Sequence, residues 1–175
     1  MAGRLYHPFS SFLMIITIDG LVATGKGTTA QGVARELGYT YIDTGAMYRA
    51  AAWYAREYDL LDAPDERLAA VLDEFQMQFV RNEDTHHDDM WIDGVNRESE
   101  IRSTDLALVM RPVVVCRPLR ERLVTLQQEF GRVSNIVADG RDVGTVVFPD
   151  AEYKYFLTCD LDVRLQRRVK QLEAQ

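Results

Sequence analysis

The stretch IDGLVATGKGTTAQGVARELG, residues 18–38, decides the fold class. The β-branched run in residues 14–19 is typical of a buried strand, and from Lys26 apolar residues recur with helical spacing until Gly38. Glycines between a strand and a helix let backbone N–H groups turn toward phosphate oxygens, where the positive end of the helix dipole also points. The stretch therefore predicts a phosphate-binding loop.

We expect this loop to bind ATP, although its match to the G-x-x-x-x-G-K-[ST] pattern is imperfect because Gly27 follows the lysine. Lys26 can still reach the β- and γ-phosphates, and Thr28 or Thr29 can offer a hydroxyl to the phosphates and Mg²⁺. The alternative is a glycine turn that only caps a helix, which the flanking strand and helix disfavour. The candidate ATP-binding residues are Gly20, Leu21, Val22, Ala23, Thr24, Gly25, Lys26, Gly27, Thr28 and Thr29.

The next elements predict an α/β domain with a small insertion. Residues 39–43 favour a strand and residues 46–57 an Ala-rich helix, an order typical of a parallel sheet. A short helix follows in residues 62–75. Residues 75–80 and 90–96 then alternate with period two, and the second run ends in an Asp-Gly turn, which indicates an inserted antiparallel sheet.

The last third returns to the core pattern. Residues 103–130 are helical in pattern, and Pro112 and Pro118 are expected to kink or split the helix. Residues 134–140 and 152–159 predict two more core strands, and residues 160–175 a charged helix.

An acid ends the first of these late strands. Asp139 closes the run NIVAD, and an acid at such a strand end can hold the hydration shell of Mg²⁺. It can also cap the following turn, and the two roles are compatible. We expect Thr28 and Asp139 to be the metal-binding residues.

Composition and charge restrict the partners. The chain has 175 residues, is 47% hydrophobic and carries a formal net charge of −7, which argues against binding to nucleic acid or to an anionic membrane. No apolar run is long enough to span a bilayer, and residues 1–13 lack a signal-peptide core. We expect a cytoplasmic protein.

The metal-ligating residue types carry little signal. Cys116 and Cys159 lack metal-ligand spacing, so two reduced thiols are expected. His86 and His87 lie among aspartates, where a solvated polar turn is favoured over a metal site.

Two long segments resemble the bacterial cytidylate kinases, a branch of the nucleoside monophosphate kinases. They are GKGTTAQGVARELGYTYIDTGAMYRAAA and VADGRDVGTVVFPDAEYKYFLT, and WIDGVN…EIRS resembles the inserted sheet of that family. The resemblance extends from about Met14 to the last helix. It implies a P-loop kinase core with a parallel sheet and helices on both faces, plus a small inserted antiparallel lobe that binds the acceptor.

The resemblance also implies how the chain is organised and what it does. Residues 1–13 would be an N-terminal extension and residues 14–175 the kinase domain, with the lobe at about 63–103. Members of the family continue beyond the lid helix, so the chain is expected to be truncated there. The implied reaction moves the γ-phosphate of ATP, with Mg²⁺, to CMP or dCMP, and we expect a monomer.

The family pattern implies roles for individual residues. Arg49 and Arg141 would contact the acceptor phosphate, and Asp142 and Arg120 the cytosine. Joining two polyanions requires several guanidinium groups, which agrees with this set, although for Arg120 a surface salt bridge remains an alternative. The implied catalytic residues are Lys26, Arg49 and Arg141; the implied CMP-binding residues are Thr44, Tyr48, Arg49, Arg111, Arg120, Arg141 and Asp142; and the implied lid residues are Arg164, Arg167 and Arg168.

Two residues depart from the family pattern. Ala23 stands where a glycine is usual, so a positive φ there would cost about 1 kcal/mol or more. Arg111 stands where a serine usually helps to read the base, and this weakens the prediction of cytosine specificity. A non-catalytic nucleotide-binding module and a kinase for another acceptor, such as UMP, therefore remain alternatives. Thr44, Arg49, Arg141 and Asp142 favour the cytidylate kinase.

Overall fold

This computed structural model describes residues 13–85 and 87–173 of the chain, which form the following strands and helices. The strands are β1 (Ile15–Gly20), β2 (Thr40–Asp43), β3 (Met77–Arg81), β4 (Asp88–Ile92), β5 (Val95–Asn96), β6 (Ile136–Gly140) and β7 (Tyr153–Leu157). The helices are α1 (Lys26–Leu37), α2 (Thr44–Glu57), α3 (Asp65–Ala70), α4 (Glu98–Arg102), α5 (Thr104–Val109), α6 (Arg111–Val115), α7 (Arg117–Val133) and α8 (Leu161–Glu173).

The predicted fold class is confirmed. Four parallel strands form one sheet in the order β2-β6-β1-β7, and a separate antiparallel sheet has the order β3-β4-β5. In the parallel sheet, Ile18 of β1 pairs with Asp139 of β6, and Asp43 of β2 pairs with the same Asp139 on the other side. The carboxyl ends of neighbouring strands are therefore aligned at one edge.

Helices cover both faces of the parallel sheet because strand side chains alternate between the faces. On one face, α1 packs through Ala30 and Ala34 against Ile16, Ile18 and Val137. On the other face, α2 and α7 pack against a larger apolar core that takes in the sheet residues Ile42, Ile136 and Ala138. The alanines predicted as helix residues let α2 approach the sheet closely.

The inserted sheet corrects one expectation. Residues 90–96 are not one strand that ends in a turn, because Asp93 and Gly94 both have positive φ, 49° and 76°, and reverse the chain between β4 and β5. Such φ values are typical of the tight hairpin turn that an Asp-Gly pair favours. The preceding strand begins at Met77 rather than at residue 75.

The long helical segment is split near its two prolines, as predicted. Pro112 lies in the first turn of α6 and Pro118 in the first turn of α7, where the missing backbone N–H costs nothing. Residues 62–75 form α3 and then a 3₁₀ turn, Val71–Asp73, rather than a single helix.

Strand β7 joins the parallel sheet, as predicted. It lies at the edge of the sheet, and Tyr155 and Phe156 are 53% and 63% exposed. Helix α8, which follows it, has no residue that is fully buried. The apolar composition of β7 predicted a strand but could not place it at the edge.

Some expectations concern other parts of the chain. The predicted extension lies, except for Leu13, outside the described residues, as does His86 of the predicted polar turn. None of the described helices is both long and apolar enough to cross a membrane.

Candidate active site

Four of the segments that carry candidate residues leave the same edge of the parallel sheet. The phosphate loop follows β1, α2 follows β2, the DGRD segment begins in β6, and α8 follows β7. Because parallel strands share one carboxyl edge, the sheet brings these segments together there. This is where α/β sheets bind their ligands.

The phosphate loop depends on two residues with positive φ. Gly25, at the start of α1, has φ 93° and Ala23 has φ 61°. The costly positive φ considered for Ala23 in the sequence analysis is therefore present. An L-residue occupies a left-handed conformation that glycine adopts at little cost. The Thr24 hydroxyl donates to the Leu21 carbonyl at 2.9 Å and closes the loop on itself. Leu21 and Val22, the apolar residues of the loop, are half exposed and do not form part of the core.

Lys26 lies beside a buried carboxylate. Its Nζ is 3.8 Å from Oδ2 of Asp139, and the Tyr41 hydroxyl donates to Oδ1 of Asp139 at 2.6 Å. Burial raises the pKa of the Asp139 carboxyl to about 7, and the charge of Asp43 adds to the rise, whereas Tyr41 and Lys26 oppose it. When ligands enter the loop, phosphates can therefore pair with Lys26, and a cation can pair with Asp139.

The residues present are compatible with Mg²⁺. A protein commonly holds this ion through one or two oxygen ligands and leaves the remaining positions to water and substrate phosphates. Asp139 offers a carboxylate beside the loop, and Thr28 lies exposed in the first turn of α1. No cluster of three acidic, histidine or cysteine side chains occurs among the described residues, so a cage made only of protein ligands is not found there.

Thr44 is fixed at the start of α2. Its hydroxyl donates to the Asp139 carbonyl at 2.7 Å, which ties β2 to β6 at the sheet edge. A side chain at Gly140 would lie within 2.5 Å of that hydroxyl, so the approach requires glycine. The backbone of the DGRD segment is thereby held against the first turn of α2.

Arg49, one turn further along α2, lies in a cluster of positive charge. Burial lowers the pKa of its guanidinium, and neighbouring arginines lower it further. These neighbours are Arg102, Arg168 and Arg141, whereas the charge of Asp43 opposes them. The Arg49 Nη1 donates to the Ile101 carbonyl at 3.3 Å. Arg102 is paired with Asp43, whereas the like charges of Arg49, Arg141 and Arg168 favour a polyanionic ligand.

A second group of predicted residues lies around Tyr48 of α2. Arg120 Nη2 is 3.1 Å from Oδ2 of Asp142. Burial raises the pKa of the Tyr48 hydroxyl; Arg120 opposes that rise and Asp142 adds to it, so the three side chains are neighbours. Their donors and acceptors suit a ring with a mixed hydrogen-bonding edge.

Arg111 does not join this group. It lies exposed at the first position of α6, and its side chain forms no hydrogen bond or ion pair with any residue that the structure describes. Helix α6 is contacted by Arg120 of α7, whose Nη1 donates to the Val114 carbonyl at 3.5 Å.

The three lid arginines of α8 divide between the two sides. Arg164 Nε donates to the Val22 carbonyl at 3.1 Å, and Arg167 Nη1 to the Thr24 carbonyl at 3.1 Å. Arg168 belongs to the cluster around Arg49. Helix α8 thus contacts the phosphate loop with one part of its surface and approaches α2 with another.

Several residues that lie at the site were not identified from the sequence. Asp19, 6% exposed, accepts from the Val143 and Gly144 N–H groups at 2.9 and 2.8 Å and anchors the turn after DGRD. Asp43 caps α2 and pairs with Arg102. The one available signal was the position of Asp19 and Asp43 at strand ends, where an acid interrupts an apolar run.

Comparisons with known proteins agree with this geometry. The family model described as Cytidylate kinase matches residues 16–175. A cytidylate kinase of Parabacteroides distasonis is 45% identical over 165 residues, which are 93% of this chain and 72% of that protein. Those of Flavobacterium johnsoniae and Streptococcus gordonii are each 42% identical, over 90% and 89% of this chain and 70% and 69% of their own lengths. The chain belongs to the cytidylate kinase family.

Proposed function

We propose that this protein transfers the γ-phosphoryl group of ATP to the phosphate of CMP or dCMP, giving ADP and CDP or dCDP. The observation that carries the proposal is the pair of cationic groups at one sheet edge. Lys26 lies in the loop that suits the donor, and the cluster around Arg49 suits the phosphate of the acceptor. Membership of the cytidylate kinase family supports the choice of cytosine as the base.

In this proposal each side binds one polyanion. Loop N–H groups and Lys26 hold the β- and γ-phosphates of ATP, while Arg49 and Arg141 hold the acceptor phosphate. Tyr48, Arg120 and Asp142 line the base side, and the lid arginines bring α8 over both. The attacking oxygen belongs to a phosphate that is already ionised, so catalysis requires positioning and charge stabilisation rather than a general base.

Asp139 and Thr28 are the residues that would hold Mg²⁺ in this proposal. The ion would supply positive charge to the phosphate oxygens during transfer. Asp139 is suited to this role because its carboxylate is buried beside the phosphate loop, where a cation would compensate its charge once phosphates pair with Lys26.

We also propose that the protein acts in the cytoplasm, where both nucleotides occur, and as a monomer. The free thiols of Cys116 and Cys159 suit a reducing compartment. A monomer is compatible with a site whose predicted residues all come from one chain, and sedimentation analysis would test it.

The function is tested by coupling ADP release to a spectroscopic signal, with ATP·Mg²⁺ and CMP, dCMP, UMP or AMP as acceptor. CMP and dCMP should give the highest kcat/KM. A higher value for UMP would instead show that UMP is the preferred acceptor. Arg111 would then be the first residue to replace, by the serine that is usual in the family. No turnover of any acceptor would support the non-catalytic alternative.

Lys26→Ala provides the matched test of the loop. We expect turnover to fall by about a hundredfold or more, because Lys26 stabilises charge that develops in the transition state. Circular dichroism should show an unchanged fold, since Lys26 lies at a helix start on the rim of the site. A variant with unchanged kcat would contradict the role given to this lysine.

A further inference from the structure

Asp43 places a negative charge where the acceptor phosphate is proposed to bind. It directly precedes Thr44, and its Oδ1 caps α2 by accepting from the Ala46 N–H at 2.9 Å. It is paired in register with Asp139 on the neighbouring strand. Two carboxylates thus lie side by side at the edge of the sheet, and each would repel an incoming phosphate.

Arg102 supplies the opposing charge. Its Nη2 lies 2.6 Å from Oδ2 of Asp43, and its Nε lies 2.7 Å from Oε1 of Glu98. The other oxygen of Glu98 accepts from the Met90 N–H of β4 at 2.9 Å. Glu98 and Arg102 therefore link the inserted sheet to the capping residue of α2, across 59 positions of sequence between Arg102 and Asp43.

The same short helix also contacts the acceptor arginine. Ile101, next to Arg102, accepts from Arg49 at 3.3 Å through its carbonyl. Its side chain is fully buried and anchors α4 in the core. One residue of α4 thus orients Arg49 and the next binds Asp43, so α4 sets the position of both charges relative to Thr44.

We propose that Arg102 is a positioning residue for the acceptor: it neutralises Asp43 and fixes the inserted sheet to the start of α2, so that the acceptor phosphate meets Arg49 and Thr44 without an uncompensated carboxylate beside them. This inference rests on the proposed function. Arg102 acts through Asp43, which distinguishes it from an arginine that grips the phosphate directly.

The distinction can be tested with a double-mutant cycle on the full chain. Removing Arg102 while Asp43 stays charged should weaken CMP binding; removing both charges should restore it. The variants are Arg102→Gln, Asp43→Asn and the combination of the two. Asparagine can still cap α2 through its side-chain oxygen, so Asp43→Asn changes the charge and leaves the cap.

We expect Arg102→Gln to raise the Kd for CMP, measured by calorimetry without ATP, by about tenfold or more, because an unpaired carboxylate then lies beside the phosphate. The KM for ATP should change by less than about twofold, since Asp43 lies on the acceptor side. Arg102→Lys keeps the charge and should recover most of the affinity. The combined variant should bind CMP within about threefold of the wild type.

The outcome that overturns the proposal is a combined variant that binds CMP as weakly as Arg102→Gln. Arg102 would then contact the phosphate itself. If Arg102→Gln does not fold, the comparison of the combined variant with the wild type still decides, because one lacks both charges and the other has both. A tenfold or larger loss between those two would contradict compensation.

Arg122→Gln is the matched control. Arg122 has a similarly exposed side chain, 38% against 37% for Arg102, and pairs with Asp73 away from the sheet edge. Its CMP affinity should equal that of the wild type. Turnover of CMP by the wild-type protein tests the proposed function by itself, so failure of the function and failure of this inference are separate results.

Discussion

At the scale of single residues, Ala23 carries a conformational cost that its neighbours do not. Its φ of 61° is one that alanine adopts with about 1 kcal/mol of strain or more. The sequence indicated this strain only through the position of Ala23 in the loop pattern. It shows that alanine stands where glycine is usual, but not whether the backbone there requires a positive φ. The loop geometry supplies that second fact.

Ala23→Gly should therefore behave unlike an ordinary alanine-to-glycine change. Relief of strain offsets the entropy that glycine adds to the unfolded chain, so the free energy of unfolding should change by less than about 1 kcal/mol. Because the loop then reaches its binding conformation without strain, the KM for ATP should fall. Urea denaturation and initial rates measure the two effects.

The control for this change is Ala107→Gly in helix α5, where the backbone is right-handed. It should lose about 1 kcal/mol of stability and leave the KM for ATP unchanged. If Ala23→Gly destabilises the protein as much as Ala107→Gly does, residue 23 is not strained.

Asp139 should give the protein without ligands a pH-dependent stability. The pKa of this carboxyl is about 7 in the folded state, against an ordinary value of 3.8, so the folded state binds its proton more tightly. The resulting stabilisation is complete below about pH 4 and is lost as the pH rises through about 7. In Asp139→Asn, which keeps an acceptor for Tyr41, this part of the pH dependence should be absent.

Urea denaturation at pH 5 and pH 8, without nucleotide or Mg²⁺, measures the effect. From pH 5 to pH 8 the free energy of unfolding of the wild type should fall relative to that of Asp139→Asn, by up to about 1.4 kcal/mol per pH unit within the titration range. Asp150→Asn, at an exposed position before β7, should follow the wild type. Equal pH dependence in wild type and Asp139→Asn would contradict the raised pKa.

At the scale of elements, α8 serves both sides of the site through neighbouring arginines. Arg167 contacts the phosphate loop and Arg168 approaches Arg49. Arg167→Gln should therefore raise the KM for ATP, and Arg168→Gln the KM for CMP, each by about 3–10-fold, the loss of one charge-assisted contact. Steady-state kinetics with each substrate varied in turn measures both constants.

Each of the two variants is the control for the other, since both remove one arginine from the same helix. Equal effects on both substrates would show that α8 acts as a whole rather than through separate contacts. Circular dichroism would establish that the helix remains folded in both.

Local signals predicted most elements but not their exact starts. Pro112 and Pro118 divided the helical segment where expected, because proline removes one backbone donor wherever it lies. The Asp93-Gly94 pair was seen but was placed at the end of a strand, although two more residues beyond it pair back as β5. Helix α2 begins at Thr44 rather than at residue 46, because Asp43 caps it.

At the scale of the whole molecule, the order of strands joins what the sequence separates. The motifs around Lys26, Arg49 and Arg141 could be found individually, and the parallel sheet predicted that they share an edge. The contacts of Asp19 with Gly144 and of Asp43 with Arg102 span 125 and 59 positions, and no local pattern specifies them. They follow from pairing and packing over long distances.

The tryptophans give the molecule an internal optical probe. The chain has two: Trp53, in α2 with the Arg97 guanidinium 4.9 Å from its ring centroid, and Trp91, in the inserted strand β4. Because the phosphate loop contains neither, tryptophan emission excited selectively over that of the tyrosines reports on α2 and the inserted sheet. Movement of the inserted sheet against α2 would change the contact between Arg97 and Trp53, so stopped-flow emission can time that movement without a label.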